Sequence, residues 1–83
     1  MHLPTLTTQE TLTFAAMLRM PYGVSAEEVS DRVQEIMKIL VLTPVAHRIV
    51  GNQLIKGLPG GQKRRVSIGV EIINYPDLLF LDG

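Results

Sequence analysis

There is no cysteine among the 83 residues, so neither a disulfide framework nor a thiolate zinc site can hold the fold. Histidine is nearly as scarce. His2 and His47 are too few to build a histidine-based metal centre. Neither sign of charge is in surplus: eight Lys and Arg balance eight Asp and Glu. A nucleic-acid-binding domain usually carries an excess of base, so no nucleic-acid partner is expected. The apolar runs Ile39-Leu40-Val41-Leu42 and Leu78-Leu79-Phe80-Leu81 stop at four residues. A bilayer-spanning helix needs roughly 20. No basic start followed by an apolar stretch stands at the N-terminus, so no secretory signal is expected. Hydrophobic residues still make up 46% of the chain, which excludes compositional disorder. These features describe a reduced, cytosolic-type polypeptide with room for one small domain, near the lower size limit for independent folding.

Thr7-Thr8-Gln9-Glu10 has the form of a capping box, with Glu10 reaching back to the Thr7 amide. A helix is expected behind it through Arg19, with Phe14, Met17 and Leu18 as its apolar stripe and Pro21 and Gly23 as its stop. Ser25-Ala26-Glu27-Glu28 is a second capping box. Val29, Val33, Ile36, Met37 and Leu40 recur at helical spacing behind it and predict one buried face. Glu27 and Glu28 in the first turn also suit the helix dipole. Thr43-Pro44 reads as the cap and first residue of a short turn through about His47. His47, with no second ligand nearby, reads as a surface or capping residue. Residues 52–61 form a glycine-rich loop. A third helix is predicted over Gln62 to Asn74, with Val66, Val70 and Ile73 inward and Ile68 and Ile72 widening that face. Gly69 in mid-helix costs about 1 kcal/mol against alanine and points to close packing. Met17, Met20 and Met37 read as gap-fillers on apolar faces. Tyr75 and Phe80 read as core, and Glu71 as the partner of a nearby arginine.

Leu78 to Leu81 is short, apolar and non-alternating, which suits a strand buried on both faces in a parallel sheet. Asp82 ends it at the carboxyl edge, where open α/β sheets place their chemistry. One strand cannot make a sheet, so the chain reads as a piece of a larger α/β domain.

Two features carry chemistry. Leu58-Pro59-Gly60-Gly61-Gln62 is a glycine-containing loop that opens a helix. Unpaired amides and the dipole at a helix start favour an anion, and glycine lets a phosphate come close. The second feature is the strand ending in Asp82, whose carboxylate can hold magnesium beside nucleotide phosphates. Either feature alone is weak. Together, at this spacing, they resemble the ATP-binding cassette of ABC transporters. There a signature loop, usually Leu-Ser-Gly-Gly-Gln, opens a helix leading to the Walker B strand. Leu58 to Glu71 and Pro76 to Asp82 follow that order. Leu6-Thr7-Thr8-Gln9-Glu10-Thr11-Leu12 resembles the family's Leu-Thr-Val-Arg-Glu-Thr-Leu segment. Val50-Gly51-Asn52, Lys56-Gly57 and Lys63-Arg64-Arg65-Val66-Ser67-Ile68-Gly69 are similar to the G subfamily, which includes the pleiotropic drug resistance pumps. The likeness spans nearly the whole chain.

The resemblance implies a fold that is mainly α with a short C-terminal β-strand, cut from an α/β P-loop ATPase domain. Residues from about 7 to 55 would be the helical subdomain, 58–74 the signature loop and helix, and 78–82 the Walker B strand. It implies that Pro59, Gly60, Gly61 and Gln62 face the γ-phosphate of ATP held by a second nucleotide-binding domain. Asp82 would hold Mg2+ through water. Further implied partners are the transmembrane domain of the same transporter and, as location, the cytoplasmic face of a membrane.

Four departures shape the expected activity. Pro59 replaces the family's serine and removes a hydroxyl and a backbone N–H. By analogy with oxyanion-hole deletions, each lost donor is worth roughly 2.7–4 kcal/mol of transition-state stabilisation. Gly83 stands where the family usually has the catalytic glutamate, and glycine cannot polarise the attacking water. No Gly-Lys-Ser or Gly-Lys-Thr is present, so the P-loop is missing. The family's Q-loop glutamine and switch histidine are not covered, and Gln9 does not stand for the former. The 83 residues by themselves are therefore expected neither to bind ATP tightly nor to hydrolyse it. The competing reading is a helical interaction module that docks a partner through the Val29–Leu40 stripe. Such a module has no use for a buried strand ending in aspartate.

Overall fold

The computed structural model describes residues 5–20, 23–51 and 56–75. Three α-helices and one 3-10 turn make up their regular structure: α1 (Thr8–Arg19), α2 (Ala26–Ile39), the 3-10 turn Thr43–Val45, and α3 (Gly60–Asn74). Helix α1 packs against both α2 and α3. The expected strand over 78–82, with Phe80 and Asp82 in it, lies outside the described residues.

Both predicted capping boxes form. The Thr7 hydroxyl accepts from the Glu10 amide at 3.1 Å, and Glu10 Oε1 accepts from the Thr7 amide at 2.9 Å. Ser25 and Glu28 repeat the exchange at 3.1 and 3.4 Å. Each box satisfies two donors that a helix start otherwise leaves to water. At its far end α2 closes with a paired turn. The Val41 amide donates to Lys38 O and the Leu42 amide to Met37 O, at 3.3 and 2.8 Å. That turn holds Val41 at φ 58°, a conformation glycine normally supplies. Leu42 is thereby delivered, fully buried, into the core.

The core is centred on Leu12, Val33, Ile36, Met37, Leu42 and Val66. The stripe expected on α2 is observed: Val29, Val33, Ile36 and Met37 are buried and Leu40 is half-buried. On α3, Val66, Ile72 and Ile73 are buried, Val70 is half-buried and Ile68 is exposed. Gly69 explains its own presence. A Cβ there would stand 2.9 Å from Leu12 Cδ2 and 3.2 Å from Leu40 Cδ1. Its absence lets α1 and α3 approach.

Helix α1 turns the other way from expectation. Thr8, Thr11, Leu12 and Ala16 face inward, whereas Met17 and Leu18 are 65% and 73% exposed and Phe14 is 43% exposed. The reason is spatial. Helix α1 is held between α2 and α3, and small side chains fit there better than a bulky stripe. Thr11 Oγ1 is buried with no partner among the described residues. Met37 fills a gap in the core, as read; Met17 does not. Tyr75, read as core, instead holds the C-terminal cap position of α3 and is 63% exposed, past the helix's last residue. The 3-10 turn starts one residue earlier than read: Leu42 holds the cap position and Thr43 is its first residue. His47 is exposed. The ion pair among the described residues is Arg32–Glu35 at 2.5 Å on the surface of α2, and Glu71 takes no part in one.

Candidate functional site

The start of α3 differs chemically from the starts of α1 and α2. Those two carry Thr or Ser at the cap and acid in the first turn: Glu10 in α1, Glu27 and Glu28 in α2. Helix α3 has Pro59 at the cap, with φ −58° and ψ 156°, no side-chain cap and no acid in its first turn. Its first intrahelical bond runs from the Lys63 amide to Pro59 O at 3.0 Å. The amides of Gly60, Gly61 and Gln62 precede that bond and are the donors a helix leaves unspent. No carboxylate in the first turn of α3 compensates the positive end of its dipole. Lys63, Arg64 and Arg65 follow directly and add positive charge.

Space completes the site. Pro59, Gly60 and Gly61 are exposed, and Gln62 is half-buried. Among the described residues a Cβ at Gly60 or Gly61 would meet nothing within 4 Å, and neither residue has a left-handed φ. Among the described residues nothing in the packing calls for glycine at either position. Alanine would favour the helix by roughly 0.5–1 kcal/mol. The two glycines leave open space in front of the first turn of α3 among the described residues. Exposed amides at a positive helix end with adjacent bases suit the phosphate of a nucleotide. For Mg2+ the chemistry is oxygen donors, which only Asp82 was expected to supply, and Asp82 lies outside the described residues. Among the described residues no three His, Asp or Glu side chains come together as a metal site.

Behind the loop lies an arrangement that spacing alone did not disclose. Residues 46–50 run as a strap along the start of α1. The Thr8 amide donates to Arg48 O at 2.9 Å, the Gln9 amide to Ala46 O at 3.0 Å, and the Val50 amide to Leu6 O at 3.0 Å. Thr7 and Ile49 form an antiparallel bridge. On its other edge the strap receives the Leu58 amide at Val50 O, 3.0 Å away. Leu58 is buried at 3% exposure, and Pro59 emerges to solvent right after it. The available signal was Gly57 ahead of Leu58, which the sequence reading used only for its likeness to the subfamily.

No helix among the described residues is long and apolar enough to cross a membrane. Comparison with known proteins agrees with the motifs. The family model for "ABC transporter" matches residues 1–83. The chain is 47% identical over 79 residues to the ABC transporter G family member STR of Petunia hybrida, covering 95% of this chain and 10% of that protein. It is 46% identical over 78 residues to the mouse (Mus musculus) broad substrate specificity ATP-binding cassette transporter ABCG2, covering 94% of this chain and 12% of that protein. A probable ATP-dependent permease of Saccharomyces cerevisiae is 44% identical over 80 residues, 96% of this chain and 8% of the permease. The chain thus spans about a tenth of the length of the curated relatives it matches. A family match along the whole chain, relatives of one subfamily, and an open glycine start to α3 identify these residues as part of the ATP-binding domain of the ABC transporter family, G subfamily.

Proposed function

We propose that this segment supplies the phosphate-facing loop of a composite ATPase site that drives transport across a membrane. Pro59, Gly60, Gly61 and Gln62 face the γ-phosphate of ATP held by a second nucleotide-binding domain. Residues from about 7 to 55 form the helical subdomain that passes closure to the transmembrane domain at the cytoplasmic face. Residues 58–74 are the signature loop and helix. Residues 78–82 form the Walker B strand, and Asp82 holds Mg2+ through water. That ion, when bound, offsets charge on the phosphates.

The observation that carries this reading is the pair of uncrowded glycines at an uncapped, acid-free helix start. Fixed amides aimed at developing charge stabilise a transition state without reorganisation. Lys63, Arg64 and Arg65 favour approach of the anion. The loop opens and orients; it does not activate water. Pro59 offers no hydroxyl and no N–H, so the site works with one donor set fewer than a serine-bearing loop.

The test uses a complete transporter containing this segment: the mouse relative with its matching segment exchanged for residues 1–82, so that the relative's own residue follows Asp82 and Gly83 is not carried into the site. Pro59→Ser there is expected to raise ATP turnover severalfold, and Gly61→Asp, which sets a carboxylate against the phosphate, to abolish it. Turnover indifferent to both changes would remove the phosphate role from this loop. The isolated 83-residue chain is expected to show no ATPase activity.

A further inference from the structure

Gly57 is held tighter than Gly23, Gly60, Gly61 or Gly69. A Cβ on it would stand 2.5 Å from Ile49 O and 2.6 Å from Val50 C, and closer still to Val50 O. Real Cβ atoms essentially never come within 3.0 Å of a neighbour, so the backbone would have to part by about 0.5 Å or more. The obstacles are backbone atoms of the strap, which have no rotamer by which to move away. Gly57 has no left-handed φ, so its requirement is for space alone.

The strap cannot yield freely either. The amides of Thr8, Gln9 and Val50 tie it to the start of α1, and Thr8 Oγ1 adds a bond to Arg48 O at 3.3 Å. On the other edge, Leu58 is fixed by its amide bond to Val50 O and by its burial. Pro59, with φ fixed by its ring, follows and carries this placement to Gly60. The exposed loop therefore takes its position from one close contact two residues upstream.

We infer that Gly57 is a positioning residue for the phosphate-facing loop: its close contact with the Ile49–Val50 backbone sets where the Gly60–Gln62 amides stand relative to α1. The inference rests on the phosphate role given above to those amides. A catalytic group misplaced by about 1 Å can cost on the order of 100-fold in rate. A Cβ at residue 57 asks for a displacement of that order. The same strap runs from the start of α1 to the loop, so a shift at either end reaches the other through backbone hydrogen bonds.

The test is Gly57→Ala in the complete transporter described above, with bound ATP and turnover measured on the same monodisperse sample. The expected result is bound ATP within about twofold of the parent, KM little changed, and kcat down by about tenfold or more. Mere loss of folded protein would lower bound ATP and turnover together and leave turnover per bound nucleotide intact. Unchanged turnover per bound ATP in a folded Gly57→Ala transporter overturns the inference. Should that variant not fold, Thr8→Val decides: it keeps the side-chain shape and removes only the hydroxyl's bond to Arg48 O, leaving the Thr8 amide bond to that oxygen in place. A severalfold drop in kcat at unchanged ATP binding supports the positioning role, and no drop overturns it. Gly61→Asp in the same assay separates the two levels. If it is inactive while Gly57→Ala is fully active, only the positioning role fails. If it retains parental turnover, the phosphate role on which this inference rests has failed.

Discussion

Val41 shows what a single residue can be made to tolerate. It takes a left-handed conformation that costs a side-chain-bearing residue roughly 1–2 kcal/mol, because the paired turn behind α2 requires it. Its side chain is 61% exposed and contributes little packing in return. Val41→Gly is therefore expected to raise unfolding stability by about 0.5–1 kcal/mol, with the glycine's own unfolded-state entropy offsetting part of the relief. The midpoint of a urea titration of the chain checks this; a lower midpoint would mean that Val41 packs in a way its exposure does not reveal. Gly60 and Gly61 present the opposite case. There the backbone accepts alanine, the surroundings accept alanine, and glycine is present all the same. Positions that break a local rule without a packing reason are where a functional reason is sought first, and the proposed phosphate role supplies one. The sequence showed that these glycines open a helix. It did not show that they stand clear of the other described residues while Gly57 and Gly69 do not, because clearance depends on what folds back against each position.

Helices α1, α2 and α3 were legible to different degrees. Two capping boxes and the long apolar spacing on α2 are local signals, and they predicted starts and a buried face that the structure bears out. Helix α1 was misread at its faces because its burial is set by neighbours. Thr8 bonds to the strap, Ala16 is small enough for close contact, and Leu12 enters the space that Gly69 leaves. A hydrophobic stripe is a reliable guide only where the partner surface is broad. In a narrow gap, size decides before polarity does. The contact between α1 and α3 gives a direct test. Gly69→Leu places a branched side chain where 2.9 Å separates a bare Cβ from Leu12 Cδ2, and is expected to cost about 2–3 kcal/mol by overpacking. Thermal or urea unfolding reads the loss; a neutral result would show that α1 and α3 slide apart easily. Because α3 begins at the Pro59–Gln62 loop, such a slide would also move that loop.

At the scale of the molecule, the described residues form one small helical core with an uncapped, basic helix start opening to solvent on its surface. The family assignment rests on the whole chain, and motif order disclosed it before any coordinates: a capped first helix, a glycine loop, a basic helix start, then an apolar run ending in Asp82. What motif order leaves open is how the loop is aimed. That follows from the strap, whose partners are some 40 residues apart in sequence and share no pattern. The account's central claim is that Gly60 and Gly61 keep space for a phosphoryl group brought by another nucleotide-binding domain. The measurement that tests it most directly pairs stability with turnover for Gly61→Ala in the complete transporter. The account predicts that the two diverge: unfolding stability rises by roughly 0.4–1 kcal/mol, as expected for alanine at a compatible helical position, while kcat for ATP falls by about tenfold or more. Higher stability with undiminished turnover would contradict it, because the clearance at Gly61 would then serve no incoming phosphate.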